Sequence, residues 1–117
     1  MGRERHSHLV AGRRHHFWTD RLWALARELP VHELAVADVP ELDRDCWFHG
    51  RAPTVRQVAE HARRIQAADL RFPVLLAPDG SLMDGGHRLA KAWLEGLATV
   101  RAVRFVVEPE PDWVTDD

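Results

Sequence analysis

Leu82-Met83-Asp84-Gly85-Gly86-His87-Arg88-Leu89-Ala90-Lys91-Ala92 is the stretch that decides how this chain is read. Apolar residues end a strand, two glycines turn the chain, and a helix begins that Gly96 stops. The first amides of a helix have no internal partners, and the helix dipole makes that end partly positive. Glycines accept positive φ and let a ligand come close to the backbone. Such a turn is predicted to bind an anion, phosphate above all. His87 and Arg88 add side-chain donors, and the planar fork of Arg88 matches phosphate oxygens in pairs. Lys91 lies one helical turn after His87 and is expected at the same anion. Asp84 is itself an anion and fits four roles: holding Arg88, capping the helix, binding a metal ion that bridges phosphates, or acting as a base. The competing reading is a plain strand–helix joint with Asp84 as N-cap and His87 and Arg88 in solvent. Asp, His and Arg side by side, with Lys91 one turn on, favour a working site.

Outward from this turn the elements follow in order. Phe72-Pro73-Val74-Leu75-Leu76-Ala77 is a continuous apolar run, as for a buried strand, and Pro78-Asp79-Gly80-Ser81 is a turn by composition. Thr54 and Gln57 make a capping box for a helix over 54–68, whose apolar stripe is Val55, Val58, Ala59, Ala62 and Ile65. Residues 31–36 read as an edge-like strand, and 38–53 as a long loop with a short helical turn. Thr19 or Asp20 opens a helix whose Leu22, Trp23, Leu25, Ala26 and Leu29 share one face, and Pro30 stops it. Residues 99–107 form the last strand. The result is a small single-domain mixed α/β (α+β) fold over 19–107, a mixed sheet with packed helices. Residues 1–18 form a basic His/Arg-rich segment and 108–117 an acidic tail, both expected as solvated ends. The apolar helix near 20–29 either covers one sheet face or offers a homodimer surface.

Bulk properties exclude several classes. A chain of 117 residues with 45% hydrophobic and 29% charged residues suits one modest core. A net charge of −2 provides no global basic field for nucleic acid. Cys46 is the only cysteine, so no internal disulfide forms. No apolar run has membrane-spanning length and the N-terminus lacks a signal-type apolar region, so a cytoplasmic protein is expected.

A second cluster is Asp43-Arg44-Asp45-Cys46-Trp47-Phe48-His49-Gly50-Arg51. Trp47, Phe48 and His49 suit the wall of a small-molecule pocket, with Asp43 and Asp45 as polar contacts. Equally, the two aromatics fold back to close the core. His61 and Arg64 share a helix face, and Arg64 either reaches the phosphate or stays solvated. The histidines lack the spacing of a strong metal site. A divalent ion such as Mg²⁺ would arrive with a nucleotide, held by oxygens, with Asp84 its first protein ligand.

The turn, the Ala-rich helix, Leu94, Gly96 and the strand Val100-Arg101-Ala102-Val103 together resemble the ParB/sulfiredoxin superfamily. The helix over 54–68 leading into Pro73-Val74-Leu75-Leu76, and the strand from Val31, extend the resemblance to residues 31–107. It implies nucleotide phosphates at residues 85–88, from ATP, ADP or CTP. Sulfiredoxins carry a catalytic Cys inside Gly-Gly-Cys-His-Arg; here Gly86 runs into His87, so that reaction is not expected. The chain ends ten residues after the last predicted strand, without the DNA-binding domain of partition proteins, so autonomous DNA binding is not expected. The ParB-like serine kinases carry Asp-Gly-His-His-Arg, close to the turn here, and use acidic residues near the first strand, where Glu33, Glu41, Asp43 and Asp45 lie. The resemblance thus implies a nucleotide-dependent phosphotransferase or NTP hydrolase acting on a small-molecule acceptor. Asp84, His87, Glu41 and Asp43 are its catalytic candidates, and Gly85, Gly86, His87, Arg88, Lys91 and Arg64 its phosphate ligands. The alternatives are a non-catalytic nucleotide- or partner-binding module and, less favoured without a basic stripe, a ParB-like nuclease.

Overall fold

The computed structural model describes residues 3–116. Among the described residues, two sheets and three α-helices make a mixed α+β domain, as the pattern of strands and helices predicts.

The chain begins with a hairpin, not a solvated head. β1 (Arg5–Val10) pairs antiparallel with β2 (Arg13–Trp18) around Ala11 and Gly12, both at positive φ. The other edge of β2 pairs with β7 (Trp113–Thr115), so head and tail form one three-stranded sheet. Their opposite charges meet: Arg13 contacts Asp116 at 2.7 Å, and Asp112 accepts from the Trp18 amide at 2.8 Å and from Arg21 at 3.2 Å. Exposed ion pairs contribute little each. The anchor is Phe17, fully buried with Leu22, Leu75, Met83 and Val103.

The second sheet has the order β3 (His32–Ala35), β6 (Thr99–Arg104), β4 (Val74–Leu76), β5 (Leu82–Asp84). β4 and β6 run parallel; the other neighbours are antiparallel. Residues 31–36 were expected at an edge, and β3 lies there. β6 ends at Arg104, short of the expected 107, and Val106 and Val107 are exposed. Alternation along the strands divides the core. Leu75 and Val103 face Phe17 and α1 (Thr19–Ala26), which therefore covers a sheet face with Leu22 and Ala26. Val74, Leu76 and Ala102 face the opposite way, onto Leu89 and Ala92 of α3 (Gly86–Leu94).

α2 (Val55–Ala67) carries the expected capping box: Gln57 N–H donates to Thr54 Oγ1 at 3.2 Å, and Thr54 N–H to Gln57 Oε1 at 2.9 Å. Its apolar stripe, however, does not enter the core. No α2 residue is buried, and Val55 is 88% exposed. α2 is tied instead to α3. The Lys91 ammonium donates to the carbonyls of Gln66 and Ala68 at 3.0 and 2.7 Å, satisfying acceptors at the C-terminal end of α2.

The β5–α3 joint is the tightest point of the fold. Gly85 has φ +118°, and a Cβ there would lie 2.6 Å from Val74 Cγ1 in a buried strand. Gly85→Ala therefore combines backbone strain with overpacking and is expected to destabilise by about 2–4 kcal/mol in urea unfolding. Phe17→Ala is expected to lower stability by about 3–5 kcal/mol. A loss under about 1 kcal/mol would mean that the hairpin is an appendage to the core.

Candidate functional site

The hairpin, the β5–α3 turn, the loop after residue 40 and α2 enclose a cleft of about 860 Å³. Its floor is Asp84, Gly85, Gly86 and His87. No side chain caps α3, since Gly85 occupies the N-cap position. The first-turn amides of the helix consequently border the cleft without a side-chain acceptor. Arginines of separate segments also border it: Arg5 and Arg14 of the hairpin, Arg44 of the loop and Arg64 of α2, with the Arg5 guanidinium 5.8 Å over the Trp113 ring. Arg64 spans to the hairpin, pairing with Glu4 at 2.8 Å.

Beside the turn, Trp47 covers two histidines. Its ring lies 4.6 Å from both His61 and His87, within 14° and 7° of parallel. The two imidazoles are 11° apart with His61 Nδ1 2.8 Å from His87 Nε2. They therefore meet edge to edge in one plane beneath the indole. Gly86 makes room for this arrangement, since a Cβ there would lie 3.2 Å from Trp47 Nε1. Asp45 holds the loop in place. Its carboxylate accepts from the amides of Trp47, Phe48 and Gly50 at 3.0, 2.7 and 2.7 Å. The Gly50 and Phe48 amides hold this carboxyl below the usual range. Burial, followed by the charge of Arg64, pushes His87 down to about 4, and the same two causes lower His61.

Asp84, which borders the cleft, accepts at Oδ2 from Trp23 Nε1 at 2.7 Å and from Arg88 Nη2 at 3.1 Å. Of its four readings, the structure shows holding Arg88 and does not show capping. Glu41 Oε2 accepts from the Leu82 amide at 3.1 Å. Glu41 Oε1 is buried with no hydrogen-bond partner among the described residues. Glu41 also borders an adjoining apolar pocket of about 260 Å³ with Leu42, Trp47, Phe48, Leu82 and Leu89.

The structure brings Asp84, Gly85, Gly86, His87, Arg64, Glu41, Trp47 and His49 to one cleft, with Phe48 in the adjoining pocket. Three expected residues are elsewhere. Arg88 turns away from the cleft, its guanidinium 5.2 Å over the Trp23 ring and paired with Asp84. Lys91 is committed to the α2 carbonyls. Asp43 is exposed and borders neither cavity. The hairpin side chains Arg5, His6 and Arg14 were missed because residues 1–18 did not read as strands. The alternation was legible there, since β2 carries Phe17 on one face and His16 and Trp18 on the other. Comparison with protein-family models, with curated proteins and with solved structures gives no match.

Two half-buried imidazoles make stability depend on pH. His6, like His87, is pushed down to about 4, by burial and then by His8. Between about 6.5 and about 4 the unfolded chain binds protons at these positions that the folded chain does not. Stability is thus expected to fall as pH drops through that window. Asp69, held at about 2 by Arg71, contributes stability that is lost only as pH falls below 3.8. Urea midpoints at pH 7, 5.5 and 4.5 therefore read the histidine window alone, above the range in which Asp69 titrates. His87→Gln should flatten the upper window, and a midpoint that does not move in wild type would refute the neutral half-buried imidazoles.

Proposed function

We propose that this protein binds a nucleotide through its phosphates and uses it as a ParB-like phosphotransferase or hydrolase acting on a small molecule. One observation carries the reading. The uncapped amide end of α3 opens through a glycine turn into a cleft bordered by four arginines from separate segments. A helix end without a side-chain cap and arginines bordering the same space suit an anion of distributed charge. The volume suits a nucleotide-sized ligand. Phosphate oxygens would accept from the first-turn amides of α3, with Arg64 leaving Glu4 to neutralise them. Asp84 and Glu41, carboxylates that both border the cleft, would supply oxygens to a Mg²⁺ ion brought by the nucleotide. The ion would supply charge neutralisation at the transferring phosphoryl group. The apolar pocket beside Trp47 would receive the body of the acceptor. Phosphoryl transfer requires mainly positioning and charge neutralisation, which a domain of this size can provide.

The exposed apolar stripe of α2 supports a second reading, a non-catalytic module that binds nucleotide and docks a partner. Calorimetric titration with ATP, ADP and CTP, each with Mg²⁺, tests what the two share. One nucleotide should bind, and Arg64→Ala should weaken it about tenfold or more, as for loss of a charged hydrogen bond. Lys91→Ala should leave affinity unchanged. No binding of any of the three sinks the phosphate reading. Turnover across a panel of small hydroxyl and amine acceptors separates enzyme from module.

A further inference from the structure

The hairpin brings a second histidine pair to the same cleft. His6 and His8 lie two apart on β1 and point to one face, against Phe17. His6 Nε2 is 2.9 Å from His8 Nδ1, and His8 Nε2 is 2.7 Å from a carboxylate oxygen of Glu108. His6 and His8 both border the cleft. Glu108 comes from the segment between β6 and β7, so the β2–β7 pairing carries it to the hairpin.

The hydrogen-bond order fixes the protons. A carboxylate only accepts, so His8 Nε2 carries the hydrogen shared with Glu108. In neutral His8, Nδ1 is then bare and must accept. His6 Nε2 therefore donates, which leaves His6 Nδ1 with a free lone pair and no hydrogen-bond partner among the described residues.

We propose that His6-His8-Glu108 is a proton relay, in which His6 Nδ1 takes a proton from a hydroxyl or water in the cleft and Glu108 stabilises the charge on His8. This rests on the phosphoryl-transfer reading for its substrate. The acceptor oxygen attacks the terminal phosphorus while its proton passes to His6 Nδ1. The bond from phosphorus to the bridging oxygen breaks, and the nucleoside diphosphate leaves with that electron pair. The Nε2 proton of His6 passes to His8 Nδ1, so the positive charge settles beside Glu108 and His6 is neutral again. The relay answers a problem that a lone His6 would have. Burial and its neighbours His8 and Arg14 disfavour a proton held on His6, while only Asp84 favours it. Around His8 the facing charges are Glu108 and Asp79, both anions. The other pair, His61-His87, has no carboxylate hydrogen-bonded to its far end among the described residues and offers no such exit.

Two measurements on the full chain test this. Nitrogen NMR with labelled histidine reads tautomers without any nucleotide. His6 is expected as the Nε2–H form at neutral pH. On acidification His6 should switch to the Nδ1–H form as a proton enters the pair, and Glu108→Gln should move that step to lower pH. A Nδ1–H His6 at neutral pH, or a titration indifferent to Glu108→Gln, overturns the relay whether or not nucleotide binds. The second is single-turnover transfer or hydrolysis with the nucleotide that titration identifies. His6→Gln should slow it about a hundredfold, the scale of a lost general base, with nucleotide affinity within threefold of wild type. Glu108→Gln, which keeps an acceptor but loses the charge, should slow it about tenfold and move the acid limb of the pH–rate profile. Equal rates in wild type and His6→Gln would overturn the relay while leaving nucleotide binding intact. Failure of wild type to bind nucleotide, with the tautomers as expected, would instead remove the phosphate reading.

Discussion

The contact between Gly85 and Val74 is the constraint on which the rest of the molecule depends. β5 must end and α3 begin within one residue, with the helix pressed onto a buried strand. Only a residue without Cβ can stand at φ +118° against Val74. That approach seats Leu89 and Ala92 on Val74 and Leu76, and so closes one half of the core. It also decides what the site is made of. A glycine N-cap leaves the α3 amides without a side-chain acceptor, and the adjacent Gly86 admits the indole of Trp47. Packing and the site are set by the same pair of glycines, so neither can be altered alone.

Much of this was legible in sequence, and the division follows physical lines. The β5–α3 turn, β4, the capping box of α2 and the stop at Gly96 are local signals, settled by residues a few positions apart. They were read with nearly correct bounds. The hairpin and β7 depend on a pairing across about a hundred residues, between a basic segment and an acidic one. Each alone looks like a solvated end. Together they neutralise each other and bury Phe17. The site misassignments have a similar origin. Arg88 and Lys91 have the right chemistry at the right spacing for a phosphate. Their partners, Trp23 with Asp84 and the end of α2, come from elsewhere in the chain. Sequence spacing places a side chain on a helix face but does not say what that face meets.

Arg88 shows how a residue can matter at a site without reaching it. Its guanidinium is paired with Asp84, lies over Trp23 and keeps a buried Nε without an acceptor. Asp84 is thereby held at Oδ2 by two donors, which fixes the orientation of its other oxygen. A neutral residue at position 88 would leave a partly buried carboxylate with the single donor Trp23. The penalty for such a loss falls on the remaining charge. The cation expected to bind ligand instead orients the anion that borders the cleft.

The two histidine pairs show why the sheet of head and tail belongs to the site. Burial first of all, and then neighbouring charges such as Arg64 at His87 and Arg14 at His6, disfavours protonated imidazoles around the cleft. In such a field a histidine is useful as a neutral donor or acceptor, and poor as a place to leave positive charge. His61 and His87 lie beneath Trp47 within the influence of Arg64, and suit orientation. His6 differs because its neighbour His8 touches Glu108, a carboxylate outside the ring of arginines. That carboxylate reaches the hairpin only because β7 returns to pair with β2. The acidic tail therefore does more than balance the charge of the basic head. It places a carboxylate at 2.7 Å from His8 Nε2, on the far side of His8 from His6.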